Sequence, residues 1–195
     1  MKRAFAVALA AACSLAVCLR AEAAVVDFDS FADAQYPGAY AGFTWGSNIA
    51  TDSEGHYAGR HAGAITFPSS AIALYNTHGD TLAAVTAASS FDFNGAYFSG
   101  WYNDLAPATT ITLNGYDNAD LVGSVTYAIG NEFSWCAANF PHVNKVEFVS
   151  SNSGNWWLMD NFSYNESLPA VPEPASVALV GLGVAASALV RRRKS

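Results

Sequence analysis

Between residues 24 and 170 the sequence holds one cysteine and two basic residues, and each shortage excludes a class of protein. Cys13 and Cys18 fall in an N-terminal apolar stretch, so Cys136 alone remains and no intramolecular disulfide framework is available. In its apolar surroundings Cys136 reads as a buried side chain; a reactive or intermolecularly paired thiol is the alternative. Against fourteen acids in this span stand only Arg60 and Lys145, a formal charge of 2 − 14 = −12, which the −7 of the whole chain conceals. So acidic a body repels phosphate backbones and is not expected to bind nucleic acid. Motifs are scarce too: there is no G-x-S-x-G, H-E-x-x-H, C-x-x-C or phosphate-cradling glycine loop. Scattered carboxylates imitate a glycosidase pair only at a separation in space that sequence does not record. The expectation is a protein that is not an enzyme.

Helical periodicity is also missing from 25–165, and what is present is a β pattern. Runs rich in β-branched and aromatic residues, punctuated by Gly, Asn, Asp and Pro, predict strands at 25–28, 42–45, 62–67, 71–75, 90–93, 96–102, 109–115, 121–127, 133–137, 145–150 and 156–164. Short strands repeating every 8–12 residues or so suggest an antiparallel sandwich or barrel. The alanines of 81–89 allow a helical turn instead. The densest polar cluster runs from Asp52 to His61, where Glu54, His56 and His61 are metal-binding types; a glycine-interrupted loop supplies no rigid spacing, so loop polarity is the better reading. His78 sits in turn composition, and His142 follows Pro141 in what reads as a connector.

Both ends read as addresses. Lys2 and Arg3 precede an apolar run over 4–19, and Ala21, Ala23 and Ala24 follow, the order of a secretory signal peptide occupying 1–24 with cleavage after Ala23 or Ala24. At the other end come Val171, Pro172, Glu173 and Pro174, then sixteen uncharged residues at 175–190, then Arg191, Arg192, Arg193 and Lys194. The prolines interrupt regular structure and keep the motif accessible. Sixteen helical residues span about 24 Å, short of a hydrocarbon core of roughly 30 Å, so a transmembrane helix here needs snorkelling arginines or a thinned bilayer. The basic cluster would stop transfer on the cytoplasmic side. This three-part order over 169–195 resembles the PEP-CTERM sorting signal. The resemblance implies processing by an exosortase, a membrane-embedded transpeptidase of Gram-negative bacteria that typically make exopolysaccharide. It implies export through the inner membrane, a transient anchor there, and release to the cell surface or beyond.

In the middle, 25–31 places Asp27 and Asp29 on one strand face, and the alternating stretch 157–164 carries Asp160 at its centre. An aromatic–Asp opening and an apolar–apolar–Asp–Asn–aromatic close resemble jelly-roll domains of the carbohydrate-binding-module and galactose-binding-like type, and the β-sandwiches that accompany PEP-CTERM tails. The resemblance implies an all-β, antiparallel jelly-roll-like β-sandwich over 25–168 whose terminal strands pair. It also implies a structural Ca²⁺ near their ends, with Asp27 or Asp29 and Asp160 among its oxygen ligands. Solvated outward-facing acids are the alternative, and no other cofactor is expected. For a glycan, the candidate aromatics are Trp101, Tyr102, Trp156 and Trp157, because a ring flanked by Asn and Asp can stack on a sugar and hydrogen-bond it. Filling a sandwich core is their other use. The expected function is that of an exosortase-sorted, non-enzymatic surface or extracellular-matrix protein linked to exopolysaccharide or biofilm. Its partners would be exosortase, the secretion machinery and extracellular polysaccharide, with the inner membrane as a station before processing. A module with specific glycan affinity and an extracellular hydrolase are the alternatives.

Overall fold

A computed structural model of the chain describes residues 24–60, 65–69, 71–101 and 106–165. Residues 1–23, where a signal peptide is expected, and the expected sorting signal, including Val171, Pro172, Glu173, Pro174, the helix expected at 175–190 and Arg191, Arg192, Arg193 and Lys194, lie outside the described residues. Among the described residues no helix is long and apolar enough to cross a membrane.

The strands in chain order are β1 (Ala24–Val26), β2 (Ala39–Tyr40), β3 (Phe43–Trp45), β4 (Ile49–Ser53), β5 (Ile72–Asn76), β6 (Leu82–Gly100), β7 (Thr110–Asp117), β8 (Asp120–Ala128), β9 (Ser134–Ser150) and β10 (Trp157–Tyr164). A short helix, α1 (Glu54–Arg60), follows β4, and a 3-10 turn (Thr77–Gly79) follows β5. The ladders are antiparallel, in the order β4-β5-β10-β6-β9-β7-β8, with β1 beside β10 and the β2–β3 hairpin on β6.

Two long strands make this continuous sheet a sandwich. From the Thr86–Lys145 pair to the Phe91–Val143 pair, β6 advances five residues while β9 advances two, and further slips follow at Phe93–Phe140 and Gly95–Ala137. Unequal advance on paired strands is a bulge, and successive bulges bend the pair. The first half of β6 therefore lies in one layer with β3, β7, β8 and the second half of β9. Its second half lies in the facing layer with β10, β5, β4 and the first half of β9. A bulge also switches which positions face inward. Phe91 and Phe93 enter the core before Gly95, and Ala96 and Phe98 enter it after.

Between the layers pack Phe28, Phe43, Trp45, Phe91, Phe93, Phe98, Phe148, Trp157 and Phe162. Phe43 meets Phe91, Phe162 and Tyr164 edge-on at centroid distances of 5.0, 5.2 and 4.9 Å. Such pairs add roughly 0.5–1.5 kcal/mol beyond burial. A second, smaller cluster covers part of the outer face of the β10 layer: Tyr57 from α1, Ile65, Phe67, Ala73, Trp101 and Leu158.

The strand pattern differs from the sequence reading at four places. Residues 81–89, where alanines allowed a helical turn, belong to β6: Ala83 and Val85 face inward, Leu82 and Thr86 outward, and β9 pairs with them from Lys145 to Val149. Predicted strands 90–93 and 96–102 merge into that same β6, and 133–137 and 145–150 merge into β9 through Pro141 and His142. Of the strand expected at 62–67, residues 62–64 lie outside the described residues, and Ile65 and Phe67 contribute to the outer cluster without joining a ladder. The polar stretch from Asp52, read as a loop, is instead the end of β4 followed by α1.

Candidate functional site

On the outer face of the β10 layer, ladder register sets three side chains in a row. Asp160 of β10 pairs with Tyr97 of β6, and Tyr97 pairs with Trp135 of β9. Residues directly opposite on antiparallel strands project to the same face. Trp135 is 40% exposed, and its ring lies 5.2 Å from that of half-buried Tyr97 at 61°. Beside them opens a groove of about 540 Å³ lined by Ile65, Thr66, Pro68, Tyr97, Glu132, Phe133 and Asn161. A second recess of about 340 Å³, between Val25, Tyr97, Trp135, Asn161 and Ser163, shares Tyr97 and Asn161 with it. The two form one aromatic trough with an amide at its centre. The side chain of Asn161 is aimed there by a bulge: its φ is 52°, and the β10–β6 register slips between Asp160 and Ser163.

Three of the four aromatics expected to meet a ligand are among the described residues, and none of the three lines this trough. Trp157 is wholly buried between the layers, and Trp101 is buried in the outer cluster under Tyr57. Trp156 is half-buried and stacks on Tyr75 at 5.9 Å and 22°. Tyr102 lies outside the described residues. Tyr97, Phe133 and Trp135 were not singled out for a ligand, although the run Ser134–Trp135–Cys136 carried a signal: inward Cys136 puts its neighbour Trp135 on the opposite face.

Of the acids expected near the terminal strands, Asp29 and Asp160 converge on Ser69. Asp160 Oδ2 accepts the Ser69 N–H at 2.7 Å, and its Oδ1 accepts the Asn161 N–H at 2.7 Å. Asp29 Oδ1 accepts the Ser69 hydroxyl at 3.0 Å and the Ile72 N–H at 3.1 Å. Asp27 faces solvent. Burial raises the Asp160 carboxyl to about 6; hydrogen bonds from Ser69 and Asn161 act the other way, and the charge of Asp29 adds to the rise. Cys136 is buried, and its surroundings push the thiol up to about 11, which leaves little thiolate to react.

A further polar group joins Asp33, Asp52 and His56. His56 Nδ1 and Asp52 Oδ1 are 2.5 Å apart, and Asp33 Oδ1 accepts the Ser53 N–H at 2.5 Å. Asp52 is pushed above the ordinary carboxylate range by burial first; His56 opposes the shift and Asp33 adds to it.

Residues 170–194 match the PEP-CTERM protein-sorting motif. No curated protein matches the sequence. Among solved structures the chain is similar to a DUF4465 family protein from Bacteroides caccae ATCC 43185, at 13% identity and a TM-score of 0.51 over 75% of this chain and 100% of that one. A looser likeness is to the N-terminal CBM22-1–CBM22-2 tandem domain of Paenibacillus barcinonensis Xyn10C, at 14% identity and a TM-score of 0.43 over 78% of this chain and 47% of that one. Another is to a family 29 carbohydrate-binding module, at 14% identity and a TM-score of 0.41 over 76% of this chain and 95% of that one. At 13% identity the likeness to the DUF4465 family protein shows the fold alone.

Proposed function

We propose that the chain is an exported, exosortase-processed, non-enzymatic surface or matrix protein whose sandwich holds a neutral glycan in the trough over Tyr97 and Trp135. The observation that carries this reading is the half-exposed Trp135, set in register beside Tyr97 and lining a recess that shares Tyr97 and Asn161 with the open groove. An aromatic face receives the C–H surface of a pyranose, and an amide both donates to and accepts from its hydroxyls. A volume of about 540 Å³ falls in the range of small-ligand sites. The formal charge of −12 over 24–170 favours uncharged sugars over acidic ones. The sorting motif at 170–194 supports the route, since a signal for exosortase belongs on a protein destined for the cell surface or the surrounding exopolysaccharide. Hydrolysis of a glycosidic bond needs two carboxylates facing the same cleft. Among the described residues lining the groove, Glu132 is the one carboxylate, which favours binding over cleavage.

Affinity electrophoresis in gels containing soluble xylan, galactan or β-glucan tests the reading. At least one polysaccharide should retard the protein, and Trp135→Ala should weaken retention by about tenfold or more, the scale of losing a buried aromatic contact. Leu121→Ala, an exposed change on β8, should leave it unaltered. Equal retention of the Trp135→Ala and parent proteins, or none in any gel, would reject the trough as a glycan site.

A further inference from the structure

Away from the trough, a turn, a strand and a helix bring three ionisable side chains together. Asp33 comes from the turn that follows β1, Asp52 from β4 and His56 from α1, and one ligand atom of each lies within 4.8 Å of the others. Backbone and hydroxyl bonds fix this convergence. Thr51, next to Asp52, donates its Oγ1 to the Ala32 carbonyl at 2.6 Å, and the same oxygen accepts the Gln35 N–H at 3.0 Å. The Ala34 N–H donates to the Thr51 carbonyl at 2.7 Å, and the Thr51 N–H to the Gln35 carbonyl at 2.9 Å. Ser53 Oγ accepts the His56 N–H at 3.0 Å, which holds the start of α1 against the end of β4.

The second observation is at Asp52 itself. Its side chain is only 3% exposed, and its Oδ2 has no hydrogen-bond partner among the described residues, while Oδ1 faces His56. A buried carboxylate oxygen without a donor is costly, and a cation relieves that cost. We propose that Asp33, Asp52 and His56 bind a first-row divalent transition cation of the Zn²⁺ class. Two carboxylates balance the dipositive charge. The imidazole selects against Ca²⁺ and Mg²⁺, which prefer all-oxygen surroundings. Three protein ligands leave a tetrahedral ion one position for water. Around such an ion, with bonds of roughly 2.0 Å, adjacent donors stand about 3.3 Å apart. The His56–Asp52 spacing of 2.5 Å, with all three ligand atoms within 4.8 Å of one another, leaves room for that arrangement after a small adjustment. The ion would staple α1 to the turn at 32–35. Because Tyr57 of α1 packs on Phe67 and Trp101, the staple would also steady the outer cluster.

The test uses the full-length chain in non-ionic detergent, stripped with chelator and titrated calorimetrically with ZnCl₂ alone. One saturable site is expected, with a rise in melting temperature that equal CaCl₂ or MgCl₂ does not reproduce. Asp33→Ala and His56→Ala should each weaken Zn²⁺ binding by about tenfold or more. Asp33 is exposed, so its variant should keep the parent circular-dichroism spectrum. Absence of a saturable site, unchanged affinity in both variants, or loss of binding on His142→Ala instead would overturn the proposal, the last by moving the ion to an exposed histidine.

Discussion

Asp160 shows what a single buried carboxyl does to the whole fold. Its value of about 6 lies above the ordinary 3.8, so the folded chain holds this proton more tightly than the unfolded one. The contribution of Asp160 is therefore most favourable below pH 4 and is lost as the pH climbs through 6. Melting temperature followed from pH 4 to 7 should fall more steeply in the parent than in Asp160→Asn; parallel curves would show that this carboxyl ionises freely. At this scale sequence reveals which neighbours share a face but not which face is covered. Trp156 and Trp157 point to opposite sides, as adjacent strand residues must, yet only the outer cluster decides that Trp101 is shielded while Trp135 is open. Similarly, the glycine-rich stretch after Asp52 hid the helix that brings His56 back to Asp52, and no local pattern pointed to Asp33 as their neighbour.

Among the elements, β7, β8 and β9 meet around one ring. Gly115 and Gly123 are opposite each other on β7 and β8, and the Phe140 ring lies across the pair. A Cβ added at Gly115 would come 2.6 Å from Phe140 Cδ2, and one at Gly123 would come 2.5 Å from Cδ1. Gly123→Ala should therefore cost about 1–3 kcal/mol, the usual penalty of overpacking, visible as a lower denaturant midpoint with an unchanged slope. Combining it with Phe140→Leu should recover part of the loss; strictly additive effects would mean that the ring and the glycines do not contact. Strand existence was readable from alternation and turn residues, because each strand has one face in the core. Strand length was not. A bulge is a mismatch between two partners, and neither partner's sequence contains the other's count. Thus the breaks expected around 94 and 138–144 are bends inside β6 and β9, and the alanines of 81–89 become strand because β9 and β3 provide ladders on both sides.

For the whole molecule, the match to a sorting motif at 170–194 follows the last described strand, β10. Replacing Pro172, Glu173 and Pro174 by alanine should leave the fold untouched and trap the protein in the membrane fraction at its unprocessed mass, with the parent recovered from the surface or medium. Equal processing of both, read by immunoblot of fractionated cells, would remove the exosortase route. The chain enters that tail from Asn165, whose N–H donates to the Asp92 carbonyl at 2.8 Å while its Oδ1 accepts the Asp92 N–H at 2.9 Å. This clamp closes β10, which lies between β6 on one side and β1 and β5 on the other. A sandwich tethered through its tail thus takes tension on an inner strand: a pull along β10 would shear three ladders together instead of peeling an edge one bond at a time.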